Sequence, residues 1–176
     1  MLGRLKIRSI DITSQVEIRR VRESDAESIC EAIKEVAAER LHLATVDGFS
    51  LENTRAFLKL IVDGNLPQAT AIADGMVIGF CDILPNTASG FTHVARLGMG
   101  VRSEWRRQGI GRRLLDACLI QAKISGIEKV ELEVFSDNAG AVRLYGAFGF
   151  IREGIKSRGR KLDGRYQDVV LMAQWM

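Results

Sequence analysis

Between residues 93 and 123 an apolar stretch, HVARLGMGV, runs into a basic turn, RSEWRRQGIGRR, and then into LLDACLIQAK. The first stretch reads as a strand covering about 92–101. In the third, with the last turn residues, Ile110, Leu114, Leu115, Cys118, Leu119 and Ala122 recur at helical spacing and mark one apolar face. A strand feeding straight into an amphipathic helix has to lay that helix back over its own sheet, so the chain is built in α/β layers. The joint itself is unusual. Gly109 and Gly111 strip it of side chains, and Arg102, Arg106, Arg107, Arg112 and Arg113 surround it.

The remaining pattern supplies the other layers. VEIRRV (16–21) is a first strand. A helix is expected from Ser24, where Glu27 follows at capping-box spacing and Ile29, Ile33, Val36 and Ala37 form the stripe. A second helix is expected from Ser50 through Phe57, Leu58 and Ile61 to about Gly64, with LHLATVDGF as the loop between them. Residues 69–73 and 76–84 flank Asp74-Gly75 and read as a β-hairpin. KVELEVF (129–135) alternates as a strand does, and DNAGAVRLYGAFGF begins with helix-capping residues and holds a short helix. A strand follows near 150, and two strands close the chain around Asp163-Gly164. The order is β-α-α-β-β-β-α-β-α-β-β, without repeats or linkers. It implies one domain over 16–176 with residues 1–15 as an N-terminal extension.

Composition excludes several classes of function. The 176 residues carry 25 basic and 22 acidic side chains, a net charge of +3, too mild to mark a nucleic-acid binder. Cys30, Cys81 and Cys118 are far apart in apolar stretches, as expected of small buried hydrophobes in a reducing compartment. With only His42 and His93 as histidines and no ligand spacing, no metal site is expected. No apolar run suits a signal peptide or a membrane span, which makes a cytoplasmic location the expectation.

A helix N-terminus presents unpaired N–H groups and partial positive charge, and glycines let a ligand approach the backbone closely. The basic turn is therefore suited to a phosphate or pyrophosphate. It is not a dinucleotide fingerprint, because Leu114 stands where the third glycine would fall, nor a phosphate loop, because Arg112 replaces the Lys-Ser/Thr ending. Arg106-Arg107-Gln108-Gly109-Ile110-Gly111 instead resembles the Arg/Gln-x-x-Gly-x-Gly/Ala signature of the GCN5-related N-acetyltransferases. LEVFSDNAGAVRLYGAFGF is similar to that family's second conserved region, with Glu133, Asn138 and Tyr145 in order, and the resemblance covers about residues 16–174. The closing segment, KSRGRKLDGRYQDVVLMA, is similar to bacterial members that acetylate amino acids, small amines or protein N-termini.

The resemblance implies a mixed, mostly antiparallel sheet of about seven strands flanked by about four helices, splayed between the fourth and fifth strands. It implies acetyl-CoA as cosubstrate and direct transfer to a primary amine, with no acyl-enzyme. The amides of Gln108, Gly109, Ile110, Gly111 and Arg112 would cradle the pyrophosphate, with Arg106 and Arg107 beside them. Met99, Gly100 and Val101 would meet the pantetheine arm, and Asn138 would hydrogen-bond it. Tyr145 would stand near the thioester sulfur and protonate the leaving thiolate. Glu133 is the candidate base, with Glu131 on the same strand face and a water chain as rivals. The preferred acceptor is a small metabolite such as an amino acid, the alternative a protein N-terminus, and specificity is expected from 41–63, 85–91 and 155–167. Such proteins are commonly homodimers.

Each of these residues also has a plainer reading. Asn138 alone is a helix cap, Tyr145 can be a packing residue, and Glu133 can be the wet face of a strand. His93 is a weak alternative base. Arg158, Arg160, Lys161 and Arg165 read as a solvated hairpin edge, or as an attractor of acidic substrates. Nucleic-acid binding and acetyl-CoA sensing without catalysis are the rival functions.

Overall fold

The computed structural model describes residues 16–176; the expected extension, 1–15, lies outside them. The first strand is shorter than expected, β1 (Glu17–Arg19). A 3-10 turn, Glu23–Asp25, then precedes α1 (Ala26–Ala38), so the helix does not start at Ser24. Asp25 braces this turn: its carboxylate accepts the Arg22 amide and both outer nitrogens of Arg19, each at 2.8 Å. The stripe Ile29, Ile33, Val36, Ala37 is buried as expected. In α2 (Leu51–Asp63) Ser50 caps the N-terminus, its hydroxyl accepting from the Asn53 amide.

β2 (Gln68–Ala73) and β3 (Met76–Pro85) form the predicted hairpin, and Asp74 and Gly75 take the two positive φ values such a turn needs, 48° and 76°. β4 (Val94–Val101) leads through a second 3-10 turn, Ser103–Trp105, into α3 (Ile110–Ile124), whose six predicted apolar residues are all buried. β5 (Lys129–Phe135), α4 (Ala139–Ala147), β6 (Ile151–Leu162) and β7 (Arg165–Trp175) complete the chain. No described helix is long and apolar enough to cross a membrane.

The strands form one sheet in the order β1-β2-β3-β4-β5-β7-β6, antiparallel except between β4 and β5. α3 and α4 cover one face, over Cys81, Leu97, Val130 and Leu132. α1 and α2 cover the other, over Val77 and Phe80. The parallel pair is where the sheet opens. Val94, Ala95 and Arg96 pair with Lys129, Val130 and Glu131, and there the ladder ends. Beyond it β4 continues against β3 to Val101, while β5 continues against β7 to Phe135. The facing edges of both strands are thus left open in a V whose wide end lies at the glycine turn.

Candidate active site

One wall of the V is built from backbone. Arg107 and Gly109 adopt left-handed φ values of 63° and 79°, which turn the chain sharply before α3. The first amide of this segment to find an acceptor is that of Arg113, which donates to the Gly109 carbonyl. Among the described residues the amides of Arg107, Gln108, Gly109, Ile110, Gly111 and Arg112 have no partner, and they stand at the positive end of a four-turn helix. Space is open above Gly109, where a side chain would meet nothing within 4 Å. An anion rich in oxygen acceptors fits this arrangement.

The arginines divide. Arg102 is buried, donating to the Val77 carbonyl and pairing with Glu35 at 2.6 Å. Arg113 donates to the Val16 carbonyl. Arg106 donates to the Val101 carbonyl and makes a two-pronged pair with Glu39, at 2.7 and 2.5 Å. Arg107 and Arg112 remain beside the bare amides, Arg112 with its guanidinium 5.1 Å from the Phe148 ring centroid.

Arg106 also donates to Nε2 of His42 at 3.0 Å, and Nδ2 of Asn138 lies 3.2 Å from the other ring nitrogen. Burial and then the Arg106 charge hold the His42 pKa below its ordinary value, so the ring is neutral. With its lone pair on Nε2 facing Arg106, the ring carries its proton on Nδ1 and cannot accept from Asn138. The Asn138 amide nitrogen is left to donate elsewhere, while its oxygen caps α4 through the Ala141 amide. Glu39 is held below the usual carboxylate range by its hydrogen bonds to Arg106.

Two turns along α4 from Asn138, Tyr145 is buried against Phe150, with ring centroids 5.8 Å apart. No described side chain hydrogen-bonds its hydroxyl, and burial, then the neighbouring Cys81, push the phenol pKa well up. It is a group kept protonated, able to donate.

The α1/α2 face of the V is different in character. Glu133, Glu131 and Arg96 lie on it, as alternation requires, and Glu133 bonds to Lys156 at 2.6 Å with Arg96 at 3.8 Å. Glu131 is taken by Lys129. A cavity of about 230 Å³ touches Arg96, Glu131, Glu133, Glu153 and Lys156. Further along, Arg160 stacks on Phe135 at 4.4 Å. Arg160 bonds to the Arg40 carbonyl and Gln167, and its Nη2 is buried without a partner. His93 stands at the closed end of the V, where its carbonyl accepts from Glu128 and Lys129, away from the other candidates.

Sequence reading did not single out three of these residues. Glu39 and His42 come from the loop end of α1, and no local pattern ties them to a turn some 65 residues later. Asp82, opposite Gly98 on β4, did leave a signal: it is the one charged residue in the apolar run MVIGFCDIL.

A half-open parallel pair beside a bare-amide turn is an arrangement suited to an extended, phosphate-bearing ligand. Residues 29–150 match the family model described as the acetyltransferase (GNAT) family, and the chain belongs to that family. It is 31% identical over 113 residues to the L-amino acid N-acetyltransferase AaaT of Escherichia coli (strain K12), covering 62% of this chain and 68% of that one. To the ribosomal protein bS18-alanine N-acetyltransferase of the same strain it is 31% identical over 75 residues, 43% of this chain and 51% of the relative. Among solved structures, a phosphinothricin acetyltransferase from Sinorhizobium meliloti in complex with acetyl-CoA superposes with a TM-score of 0.85 at 19% identity, over 92% of this chain and 89% of that one. The chain is an N-acetyltransferase of this superfamily.

Proposed function

We propose that this enzyme transfers the acetyl group of acetyl-CoA directly to the primary amine of a small metabolite, an amino acid by preference. The run of unpaired amides from Arg107 to Arg112 carries the cosubstrate reading, since it offers consecutive donors to a pyrophosphate. Arg107 and Arg112 add charge there, and Arg106 braces the turn from behind. The open edge of Met99, Gly100 and Val101 offers backbone groups to the pantetheine arm, and the free Nδ2 of Asn138 faces it with a donor.

Acetyl-CoA, a substrate and not a resident group, brings an activated thioester. The protein's part is to fix that carbonyl against an amide of β4 and to protonate the departing sulfur from the Tyr145 phenol. Glu133 is the family-position candidate for drawing off the amine's proton, through water, since Lys156 occupies its carboxylate. An amino-acid acceptor is supported by the relative that acetylates L-amino acids. The relative acting on ribosomal protein bS18 supports a second reading, a protein N-terminus as acceptor. Localisation in the cytoplasm and homodimerisation remain part of the proposal.

Gly109→Glu places an anion in the open space of the turn and should abolish acetyl-CoA binding measured by calorimetry. Gly109→Ala, which tests backbone strain alone, should keep most of it. Undiminished binding by Gly109→Glu overturns the assignment. Thiol release across amino acids, polyamines and short peptides then separates the two acceptors.

A further inference from the structure

Asp82 sits in the middle of β3, opposite Gly98 of β4 and Gln68 of β2. Its neighbours at alternate positions, Phe80 and Leu84, pack on the α1/α2 side, so its carboxylate emerges on that face. Gly98 lies just past Arg96, the last β4 residue paired to β5, so Asp82 lies level with the point where the V begins. On the far wall, Glu133 is two residues past Glu131, the partner of Arg96, and is therefore also level with Gly98. The floor between the two carboxylates is bare glycine, and a Cβ built on Gly98 would stand 3.4 and 3.7 Å from the two Asp82 oxygens.

The two carboxylates differ in one decisive respect. Glu133 is neutralised by Lys156 and Arg96, whereas no described cation pairs with Asp82. The groups sharing its face are uncharged on both flanks, Gln68 on β2 and Gly98 on β4. Arg96, the nearest cation on β4 by register, is drawn across to Glu133. The side chains packed over this face from α1 and α2 around Phe80 are apolar: Ile29, Ile33, Leu58 and Ile61. Glu35 and Glu39 at the end of α1 are committed to Arg102 and Arg106, and His42 is neutral. An unpaired, half-buried carboxylate is costly to keep. It is the group an incoming ammonium would complete.

We infer that Asp82, in place of the ion-paired Glu133, receives the acceptor's ammonium group above Gly98 and takes its proton, which makes it the specificity determinant for a cationic primary amine. The inference rests on the acetyltransferase reading above. One N–H bond of the ammonium breaks and its proton goes to an Asp82 oxygen. The freed lone pair forms the C–N bond to the thioester carbonyl carbon, and the C–S bond breaks. The second proton, lost from nitrogen as the amide forms, balances the one the thiolate takes up by way of Tyr145. Asp82 returns its proton to solvent after product leaves. Burial has already lifted its pKa to about 7, so the carboxylate is basic enough to accept a proton at neutral pH and is ionised just above it.

The test uses the full chain with acetyl-CoA and, as acceptor, whichever proteinogenic L-amino acid or polyamine gives the fastest thiol release. Asp82→Asn should bind acetyl-CoA within about twofold of the parent and lose on the order of 100-fold in kcat/KM for the amine, the low end of a general-base contribution. The acid limb of the kcat/KM profile near pH 7 should vanish in Asp82→Asn, return in Asp82→Glu and persist in Glu133→Gln. Because the unpaired charge destabilises the fold, Asp82→Asn should also melt at a higher temperature than the parent at pH 8; a purely structural aspartate would give the reverse. The inference is overturned if Asp82→Asn keeps kcat/KM within threefold, or if the acid limb disappears with Glu133→Gln instead. Failure of the parent to bind acetyl-CoA would sink the cosubstrate reading itself, and the role of Asp82 with it.

Discussion

Gly98 and Gly100 share one face of β4, yet a methyl group would meet a different neighbour at each. At Gly98 it would touch carboxylate oxygens at ordinary contact distance; at Gly100 it would stand 2.7 Å from Cζ and 3.0 Å from Cε1 of the buried Phe80 ring. Something must shift there, and overpacking of this kind costs about 1–3 kcal/mol. Gly100→Ala should therefore lower the urea midpoint and drop the melting temperature by roughly 2–4 °C for each kcal/mol lost. Phe80→Leu in the same background should recover part of the loss by vacating the space. If Gly100→Ala melts with the parent, the ring is not the obstacle. At this scale the sequence is only half readable. Asp82 stands out as a charge in an apolar run, but whether it meets a cation or a glycine is decided by the register of a strand a dozen residues away.

The turn at 102–113 was legible as an element, because strand, glycines and helical stripe are all local patterns, and its bare amides follow from them. What its arginines touch was not. Three of the five reach acceptors on β3, just after α1 or in the chain before β1, and those partners come together only when the layers pack. The same limit explains the start of α1. Ser24 and Glu27 have the spacing of a capping box, but Asp25, anchored by Arg19, accepts the Arg22 amide and winds a 3-10 turn first. Within the turn the two glycines have separate reasons to be glycine. Gly109 needs its φ of 79°, and an alanine there should cost about 1 kcal/mol. Gly111 is helical, and a methyl would rest 3.5 Å from Leu144 Cδ2 and Met99 Cε. Gly111→Ala should thus raise stability by up to about 1 kcal/mol through helix propensity, with acetyl-CoA affinity retained. Thermal melts with calorimetry check both. A Gly111→Ala protein that loses acetyl-CoA would show that the cosubstrate needs the empty space and not only the amide.

Across the whole molecule the V divides the sheet into two halves, β1 to β4 and β5 to β6, joined by only three residue pairs of parallel ladder. Beside the core under α3 and α4, the four residues after α1 supply a further, polar connection. Glu39 and His42 hold Arg106 at the end of the first half, and Arg40 pairs with Asp163 at the tip of the β6–β7 hairpin at 2.7 Å. This connection is built around a neutral imidazole, and that makes it sensitive to pH. The folded pKa of His42 lies below its ordinary value of 6.5 because burial and the Arg106 charge oppose protonation. The unfolded chain therefore binds the proton first. The stability His42 contributes is complete above about pH 6.5 and is lost as pH falls through the folded pKa. Asp82 acts in the opposite sense around pH 7, since protonation relieves its buried charge, so a single melting curve mixes the two. The difference between the parent and His42→Gln isolates the histidine: glutamine can still accept from Arg106 but cannot titrate. Chemical unfolding from pH 8 to pH 5 should show the parent losing stability relative to His42→Gln as the pH drops below about 6.5, with the gap constant above it. The loss should be accompanied by weaker acetyl-CoA binding in the parent alone, because a protonated ring repels Arg106 and loosens the turn whose amides face the pyrophosphate. A gap that stays flat across the whole range would mean that His42 is free to take up its proton in the folded state and that its contact with Arg106 does not hold the turn.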